Sequence, residues 1–201
     1  GDVSSQSYWI DKTAPTANAA AASTTSWTNA DVTISVSGAS DALSGFDQIS
    51  LPNGTSTKST SANQLVSANG NYTFAIKDVA GNVTNKTVSI ANIDKVAPTA
   101  NNVTASTTAW TNSNVTLTLT GAADALSGFS KIVLPDGTST TSTSASYSAS
   151  TNGTFTFKVY DNAGNVTNKS ITVTNIDKVA PTVTSPGTIQ NETTDSYDVI
   201  V

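Results

Sequence analysis

An internal repeat with a period of 83 residues constrains the fold of this chain more than any other feature. The segment IDKTAPT at residues 10–16 returns as IDKVAPT at residues 93–99 and again at residues 176–182. Because a fixed period marks a series of similar structural units, we expect two complete units, residues 10–92 and 93–175. Residues 1–9 then form the tail of a preceding unit, and residues 176–201 form a linker and the start of a further domain.

The hydrophobic pattern within each unit is that of β-strands. In the first unit, Val32, Ile34 and Val36 alternate with polar residues, and residues 72–76 show the same alternation. A period of two is typical of strands buried on one face. The Ser- and Thr-rich stretch at residues 55–62 predicts a solvated edge strand and loop, and no amphipathic helical window of useful length is present. About seven short strands in a unit of this size predict an all-β fold, with one immunoglobulin-like β-sandwich per unit.

Short proline-containing linkers join the units. Pro15, Pro98 and Pro181 occupy the same place in the three copies of the linker. Proline fixes its own φ angle and holds the residue before it in an extended conformation. We therefore expect two tandem sandwiches joined end to end by stiff couplings.

The composition excludes several classes of function. The chain has a formal net charge of −5, contains no histidine, cysteine or methionine, and all of its cationic side chains are lysines. Without imidazole or thiolate there is no Ser-His or Cys-His catalysis and no zinc, haem or iron–sulfur site of the usual kind. An acidic chain without arginine argues against nucleic acid as a partner. No apolar run approaches the ~20 residues of a membrane span. Ligands bound through oxygen atoms, such as calcium or sugars, remain.

The sequence shows no catalytic set. Two aspartates could act as acid and base at a glycosidic bond, but nothing in the sequence distinguishes one from the other. No serine lies three residues before a lysine, so the S-x-x-K pattern is absent. We expect that the chain is not an enzyme.

Four motifs follow one another in the same order: N-I-D-K-x-A-P-T, W-T-N before a V-T strand, D-x-x-S-G-F, and D-x-A-G-N-V-T. This set covers residues 10–175 nearly completely and resembles the tandem bacterial Ig-like repeats of surface and secreted proteins, especially those of Gram-positive bacteria. The resemblance implies Greek-key sandwiches strung into stalks that present adhesive or enzymatic modules away from the cell wall. It implies an extracellular, cell-surface or cell-wall location, with the neighbouring Ig-like domains of the same chain as partners. Residues 189–201 depart from the repeat and look like the first strands of a different domain.

Aspartates recur at three fixed places. Asp41 and Asp124 lie in one loop of the two units and Asp78 and Asp161 in another, and each linker carries one more: Asp11, Asp94 and Asp177. If these side chains meet at one end of a sandwich, their oxygens would suit calcium, which takes about 6–8 oxygen ligands. The alternative is that Asp and Gly serve the turns, because Asp accepts backbone N–H bonds and Gly adopts positive φ. No EF-hand spacing is present, so we favour the turn interpretation, assign no cofactor and keep calcium as a candidate.

Trp27 and Trp110 precede the strands that begin near Val32 and Val115. An exposed indole could stack on a sugar face, which would make the chain a carbohydrate- or glycoprotein-binding module. Tryptophan is buried on average, so the favoured interpretation is that both rings pack at the ends of their sandwiches. A structural spacer is the expected function. It requires buried rings, whereas a glycan-binding module requires at least one ring that faces solvent.

Overall fold

The computed structural model describes residues 8–183, and each of its two units contains seven strands. The strands of the first unit are β1 (Ala21–Ala22), β2 (Val32–Val36), β3 (Phe46–Ser50), β4 (Ser56–Thr57), β5 (Ala62–Val66), β6 (Gly70–Asp78) and β7 (Val83–Ile90). Those of the second unit are β8 (Thr104–Ala105), β9 (Val115–Leu119), β10 (Phe129–Val133), β11 (Ser139–Thr140), β12 (Ala145–Ala149), β13 (Gly153–Asp161) and β14 (Val166–Val173).

The strands of each unit form two antiparallel sheets. In the first unit the sheets have the orders β1-β2-β5 and β4-β3-β6-β7, and the second unit repeats both orders. The connections β2–β3, β4–β5 and β5–β6 pass from one sheet to the other, which is the connectivity of a Greek-key sandwich. The prediction of an all-β fold with two tandem sandwiches is confirmed. The short strand β4 lies at the edge of its sheet, inside the stretch that predicted a solvated edge strand.

The core of each unit lies between its two sheets. Val32, Ile34 and Val36 of β2 alternate with more exposed residues and face Phe74 and Ile76 of β6. All five are at most 2 % exposed. The second core uses the equivalent positions of the repeat, with Val115, Leu117, Leu119, Phe157 and Val159 fully buried. Because each unit buries its own apolar faces, each has its own hydrophobic core.

The two ends of the sequence lie mostly outside the described residues. The predicted tail of a preceding unit is described only at residues 8–9, and the predicted start of a further domain only as far as residue 183. Within residues 8–183 there is no helix long and apolar enough to cross a membrane.

Candidate functional site

The chain passes from one unit to the other between two adjacent buried residues. Ile93 is 4 % exposed and packs in the core of the first unit. Asp94 is 1 % exposed and lies in a group of carboxylates in the second unit. Since no residue separates the two, the junction has no free linker.

Residues 92–94, which we call the junction strap, run parallel to the chain at Thr28. The Thr28 N–H donates to the Asn92 carbonyl oxygen at 3.0 Å, and the Asp94 N–H donates to the Thr28 carbonyl oxygen at 2.9 Å. These two bonds form a parallel bridge between Thr28 and Ile93. The strap is therefore fastened to the first unit on both sides of Ile93.

Asn69 holds Ile93 with both ends of its side chain, an arrangement we call the amide clamp. Its Nδ2 donates to the Ile93 carbonyl oxygen at 2.9 Å, and its Oδ1 accepts from the Ile93 N–H at 2.9 Å. Asparagine carries a donor and an acceptor on one planar group, so a single side chain satisfies both backbone groups of a buried residue.

The second unit repeats the strap and the clamp at residues 175–177. Asn152 donates to the Ile176 carbonyl oxygen at 2.8 Å and accepts from its N–H at 2.9 Å. Thr111 forms the parallel bridge to Ile176. Lys178 donates to the Asn114 side chain and to the Ser150 carbonyl oxygen, both at 2.8 Å. The end of the second unit is thus built like the end of the first.

Besides the strap, a backbone bond joins the two units: the Asn29 N–H donates to the Ala163 carbonyl oxygen at 3.1 Å. Within the second unit, the Asp94 carbonyl oxygen accepts from Asn165 Nδ2 at 2.9 Å. Lys95 also forms an ion pair with Asp31 of the first unit, but both side chains are more than one third exposed, and such pairs contribute little. Each backbone N–H and C=O from the Asn92 oxygen to the Asp94 oxygen has a partner, so the chain is restrained throughout the junction.

The proline-containing linker is fastened along β7 by the D-x-A-G-N-V-T motif. Asn82 Nδ2 donates to the Asp11 and Thr13 carbonyl oxygens at 3.2 and 3.1 Å. Thr84 Oγ1 donates to the Pro15 carbonyl oxygen. Thr167 bonds to the Pro98 carbonyl oxygen in the same way in the second unit. The D-x-A-G-N-V-T motif, which includes the turn between β6 and β7, therefore fixes the linker that enters the same unit.

The structure brings the linker and loop aspartates together at the entry end of each unit. These carboxylate clusters consist of Asp11, Asp41 and Asp78 in the first unit and Asp94, Asp124 and Asp161 in the second. In each cluster, one oxygen of every carboxylate lies within 4.8 Å of the others. The sequence hypothesis placed these three positions at one end of the sandwich, and the described residues do lie there. Asp177, the third linker aspartate, lies at the exit of the second unit and accepts the Val179 N–H.

Protein N–H groups already surround these carboxylates. Asp41 Oδ2 accepts the Leu43 and Gly45 N–H groups at 3.0 and 2.9 Å. The fully buried Asp78 accepts the backbone and the side-chain N–H of Asn82, both at 2.7 Å. Among the described residues, no buried side-chain nitrogen or oxygen lacks a hydrogen-bond partner. The clusters therefore act as acceptors that fix two loops and the linker.

Hydrogen bonds stabilise the charged form of both linker aspartates. For Asp94, burial raises the pKa, but bonds from the Ser127 side chain and from the Val96 and Ser127 N–H groups outweigh it, so the pKa lies below its ordinary value. For Asp11, bonds from the Ser44 side chain and the Thr13 N–H lower the pKa. Both clusters thus favour ionised linker carboxylates at neutral pH.

Three carboxylates at this separation allow two chemical roles. As hydrogen-bond acceptors they hold the turns, as described above. As oxygen ligands they could hold a hard divalent cation, because calcium binds carboxylate and backbone oxygens. The first role needs no added group, since the hydrogen bonds are present in the structure.

The two tryptophans differ in exposure. Trp27 is 36 % exposed and Trp110 is 76 % exposed. The expectation that both rings are buried in their sandwiches is wrong: Trp110 is largely exposed and Trp27 is also partly exposed. The backbone on both sides of Trp110 is tied to the strap, through Asn175 to the Ala109 carbonyl oxygen and through Thr111. Equivalent bonds from Asn92 and Thr28 flank Trp27, so they do not account for the difference in exposure. Trp27 stands beside Asn29, which bonds to the second unit, and is the less exposed of the two.

The residues that hold the junction were not identified from the sequence. Asn69 and Asn152 lie at equivalent positions of the repeat, each before a glycine. Asn82 and Asn165 are also equivalent, and each follows the glycine of the D-x-A-G-N-V-T motif. Asparagines before or near glycines read as turn residues. Their second role, holding backbone groups of the straps and linkers, is visible only in the structure.

Comparison with known proteins adds the following. No family model matches the chain, and no curated protein matches it. Similar solved structures include the fibronectin(III)-like modules of Clostridium thermocellum CbhA, at 17 % identity and a TM-score of 0.40, covering 84 % of this chain and all of that one. A 1.5-MDa bacterial ice-binding adhesin is similar at 14 % identity and a TM-score of 0.43, over 81 % of this chain and 63 % of that one. A tetra-tandem repeat from the extending region of a large adhesion protein is similar at 19 % identity and a TM-score of 0.28, over 84 % and 51 %. These likenesses concern the fold.

Proposed function

We propose that this chain is a structural spacer, a stiff segment of a stalk that holds other modules at a distance. The observation that supports it is the junction strap. In the strap, Ile93 is buried in the first unit and Asp94 in the second, and each backbone N–H and C=O from the Asn92 oxygen to the Asp94 oxygen is hydrogen-bonded. A joint of this kind has few free dihedral angles, so it resists bending. The same clamp recurs at residue 176, at the exit of the second unit.

The mechanism of a spacer is geometric. Strands rise about 3.3 Å per residue, so each sandwich with its loops adds on the order of 35–45 Å. Stability comes from each unit and from its contacts with its neighbours, as in other repeat proteins. The natural partners are therefore the adjoining Ig-like units of the same chain.

The proposed location is the outside of a bacterial cell, at the surface or in a cell wall of the Gram-positive type. The absence of cysteine suits surface proteins that fold without disulfides. The many exposed Ser and Thr side chains keep such a stalk soluble without a high net charge. In this proposal the chain has no catalytic role.

Small-angle X-ray scattering of the whole chain tests the spacer proposal. Two units in line predict a rod-like scattering profile with a length on the order of 80 Å for the described part. A control with a Gly-Ser segment inserted between Ile93 and Asp94 should scatter as a more compact, flexible pair. Scattering of the unmodified chain that matches the control would contradict the proposal.

A calcium-bound junction is a second proposal, and it concerns how the spacer is stiffened. The observation that favours it is the meeting of three carboxylates in each unit, one of which comes from the linker. In the second unit, a cation held by Asp94, Asp124 and Asp161 would tie the strap to two loops of that unit. Opposing it, the carboxylate oxygens already accept protein N–H groups.

Thermal unfolding with and without calcium tests this second proposal. A ligand that binds only the folded state stabilises it by RT ln(1 + [L]/Kd), so the melting temperature rises as the ligand concentration exceeds its Kd. We would expect a rise in millimolar calcium relative to chelator, and its loss in the Asp124→Asn variant. An Asp47→Asn variant, altered outside the clusters, is the matched control. An unchanged melting temperature leaves the carboxylates as turn acceptors only.

The alternative function is glycan binding. The exposed ring of Trp110 favours it, because the spacer interpretation expected both tryptophan rings to be buried. Affinity electrophoresis through gels that contain wall or host polysaccharides tests it. Retardation that disappears in Trp110→Ala and persists in Trp27→Ala would identify a binding module at the exposed ring. Equal migration in all gels would leave the spacer as the function.

A further inference from the structure

Three Asn-Gly pairs occur in the sequence, at residues 53–54, 69–70 and 152–153. Asparagine followed by glycine is chemically labile, because glycine has no side chain to hinder attack of its backbone nitrogen on the asparagine side-chain carbonyl. The structure places these pairs in two different environments.

The pair at Asn53 lies in the exposed turn between β3 and β4. Gly54 has a φ of 87°, and a Cβ at that position would meet nothing within 4 Å, so the turn is open to solvent. Asn53 Oδ1 accepts the Thr55 N–H at 3.0 Å and the Thr55 hydroxyl at 2.7 Å, which polarises the carbonyl. A single exposed bond restrains the nucleophile, from the Gly54 N–H to the Leu51 carbonyl oxygen at 2.9 Å.

The other two pairs contain the amide clamps. Both amide atoms of Asn69 bond to the backbone of Ile93, and both amide atoms of Asn152 bond to the backbone of Ile176. Each isoleucine is less than one tenth exposed. The amide nitrogen cannot leave, nor the side chain turn towards the glycine, unless the strap detaches.

The second unit shows that aspartate, one of the two products of deamidation, fits the turn. Asp136 occupies the position equivalent to Asn53 and is followed by Gly137. Its Oδ1 accepts the Thr138 N–H at 3.0 Å and the Thr138 hydroxyl at 2.7 Å, as Asn53 does with Thr55. An aspartate in this turn therefore makes the same hydrogen bonds as the asparagine.

We propose that Asn53 is a site of spontaneous deamidation in the folded protein, and that the fold protects Asn69 and Asn152 from the same reaction. The Gly54 nitrogen forms a bond to the Asn53 Cγ, and the Cγ–Nδ2 bond breaks. The side-chain nitrogen leaves as ammonia with the proton from the Gly54 N–H. Water then opens the resulting succinimide at either carbonyl, which yields aspartate or isoaspartate and adds one negative charge to the first unit.

Site-resolved peptide mapping of the whole chain after incubation at mildly alkaline pH tests this proposal. Peptide resolution is needed because Asp136-Gly137 can isomerise through the same ring. In native buffer we expect residue 53 to react at least about tenfold faster than residues 69 and 152, a ratio that corresponds to about 1.4 kcal/mol. In concentrated urea, where the clamps are absent, the three sites should react at similar rates.

A native deamidation rate at Asn53 that is equal to or lower than the rates at Asn69 and Asn152 would overturn the proposal. The variant Asn53→Asp tests tolerance of the product. Its midpoint of unfolding should match that of the unmodified chain, because Asp136 already occupies the equivalent turn. A clear loss of stability in Asn53→Asp would overturn the claim that the product fits.

Discussion

Asn69 and Asn152 each satisfy the N–H and the C=O of a buried isoleucine. Alanine at residue 69 would leave both groups of Ile93 unpaired, and a buried unpaired polar group costs about 1–3 kcal/mol. We therefore expect Asn69→Ala to lower the free energy of unfolding of the first unit by at least that amount. Urea unfolding, with hydrogen exchange to resolve the two units, measures it.

Asn85 provides the matched control for this substitution. It lies on β7 with its side chain exposed, so Asn85→Ala should change stability by less than about 0.5 kcal/mol. Asn69→Asp keeps the acceptor and removes the donor, and it should fall between the two. If Asn69→Ala and Asn85→Ala have the same effect, the clamp does not stabilise the strap.

Because the pKa values of Asp11 and Asp94 are lowered in the folded state, the stability of the fold depends on pH in the acidic range. A carboxylate whose pKa is lower in the folded state stabilises the fold above its unfolded value. That contribution is lost as the pH falls below about 4, towards the folded value. We expect the melting temperature to decline through this range, and the decline to be shallower in Asp94→Asn, which is also less stable at neutral pH. A profile for Asp94→Asn parallel to that of the unmodified chain would contradict this role of Asp94.

At the scale of elements, the strap carries a residue that the repeat assigns to the second unit but that packs in the first. Ile93 follows the last strand of the first unit yet packs in its core. Truncation of a buried isoleucine to alanine costs about 2–5 kcal/mol. We expect Ile93→Ala to destabilise the first unit by this amount and to leave the second unit nearly unchanged. Peptide-level hydrogen exchange distinguishes the units.

The variant Ile10→Ala is the control for that prediction. Ile10 occupies the equivalent position of the first linker but is 77 % exposed in the described residues, so its truncation should have little effect on either unit. A loss of protection in the second unit of Ile93→Ala, as large as in the first, would show that the two units do not unfold separately.

Strands with clear alternation were predictable. β2 and β6 carry apolar residues at every second position, and the sequence located them. β5 and β12 were missed, because the buried residues of β12 are Ala145 and Ala149, which give almost no hydrophobic signal. β5 and β12 are strands because they pair with β2 and β9, and the pattern of their own residues does not indicate this pairing.

The carboxylate clusters were predictable as a group because three aspartates recur at one offset. The junction was not, because its key contacts join residues distant in sequence, such as Asn69 with Ile93 and Asn165 with Asp94. The exposure of Trp110 was also missed. The average burial of tryptophan does not say which individual ring faces solvent, and equivalent backbone bonds flank both Trp27 and Trp110.

At the scale of the whole molecule, the central claim is that the two units keep one relative orientation. The chain has no cysteine, so two spin labels can be placed at chosen sites. Asn85→Cys and Asn168→Cys are equivalent exposed positions on β7 and β14. Pulsed electron–electron double resonance then measures the distribution of distances between the two labels, one on each unit.

We expect a single narrow distance distribution, centred on the order of 40 Å, which is the length of one unit. The same labels with a Gly-Ser segment between Ile93 and Asp94 should give a broad distribution, because the strap no longer connects the two units directly. A distribution in the unmodified junction as broad as in this control would contradict a stiff spacer.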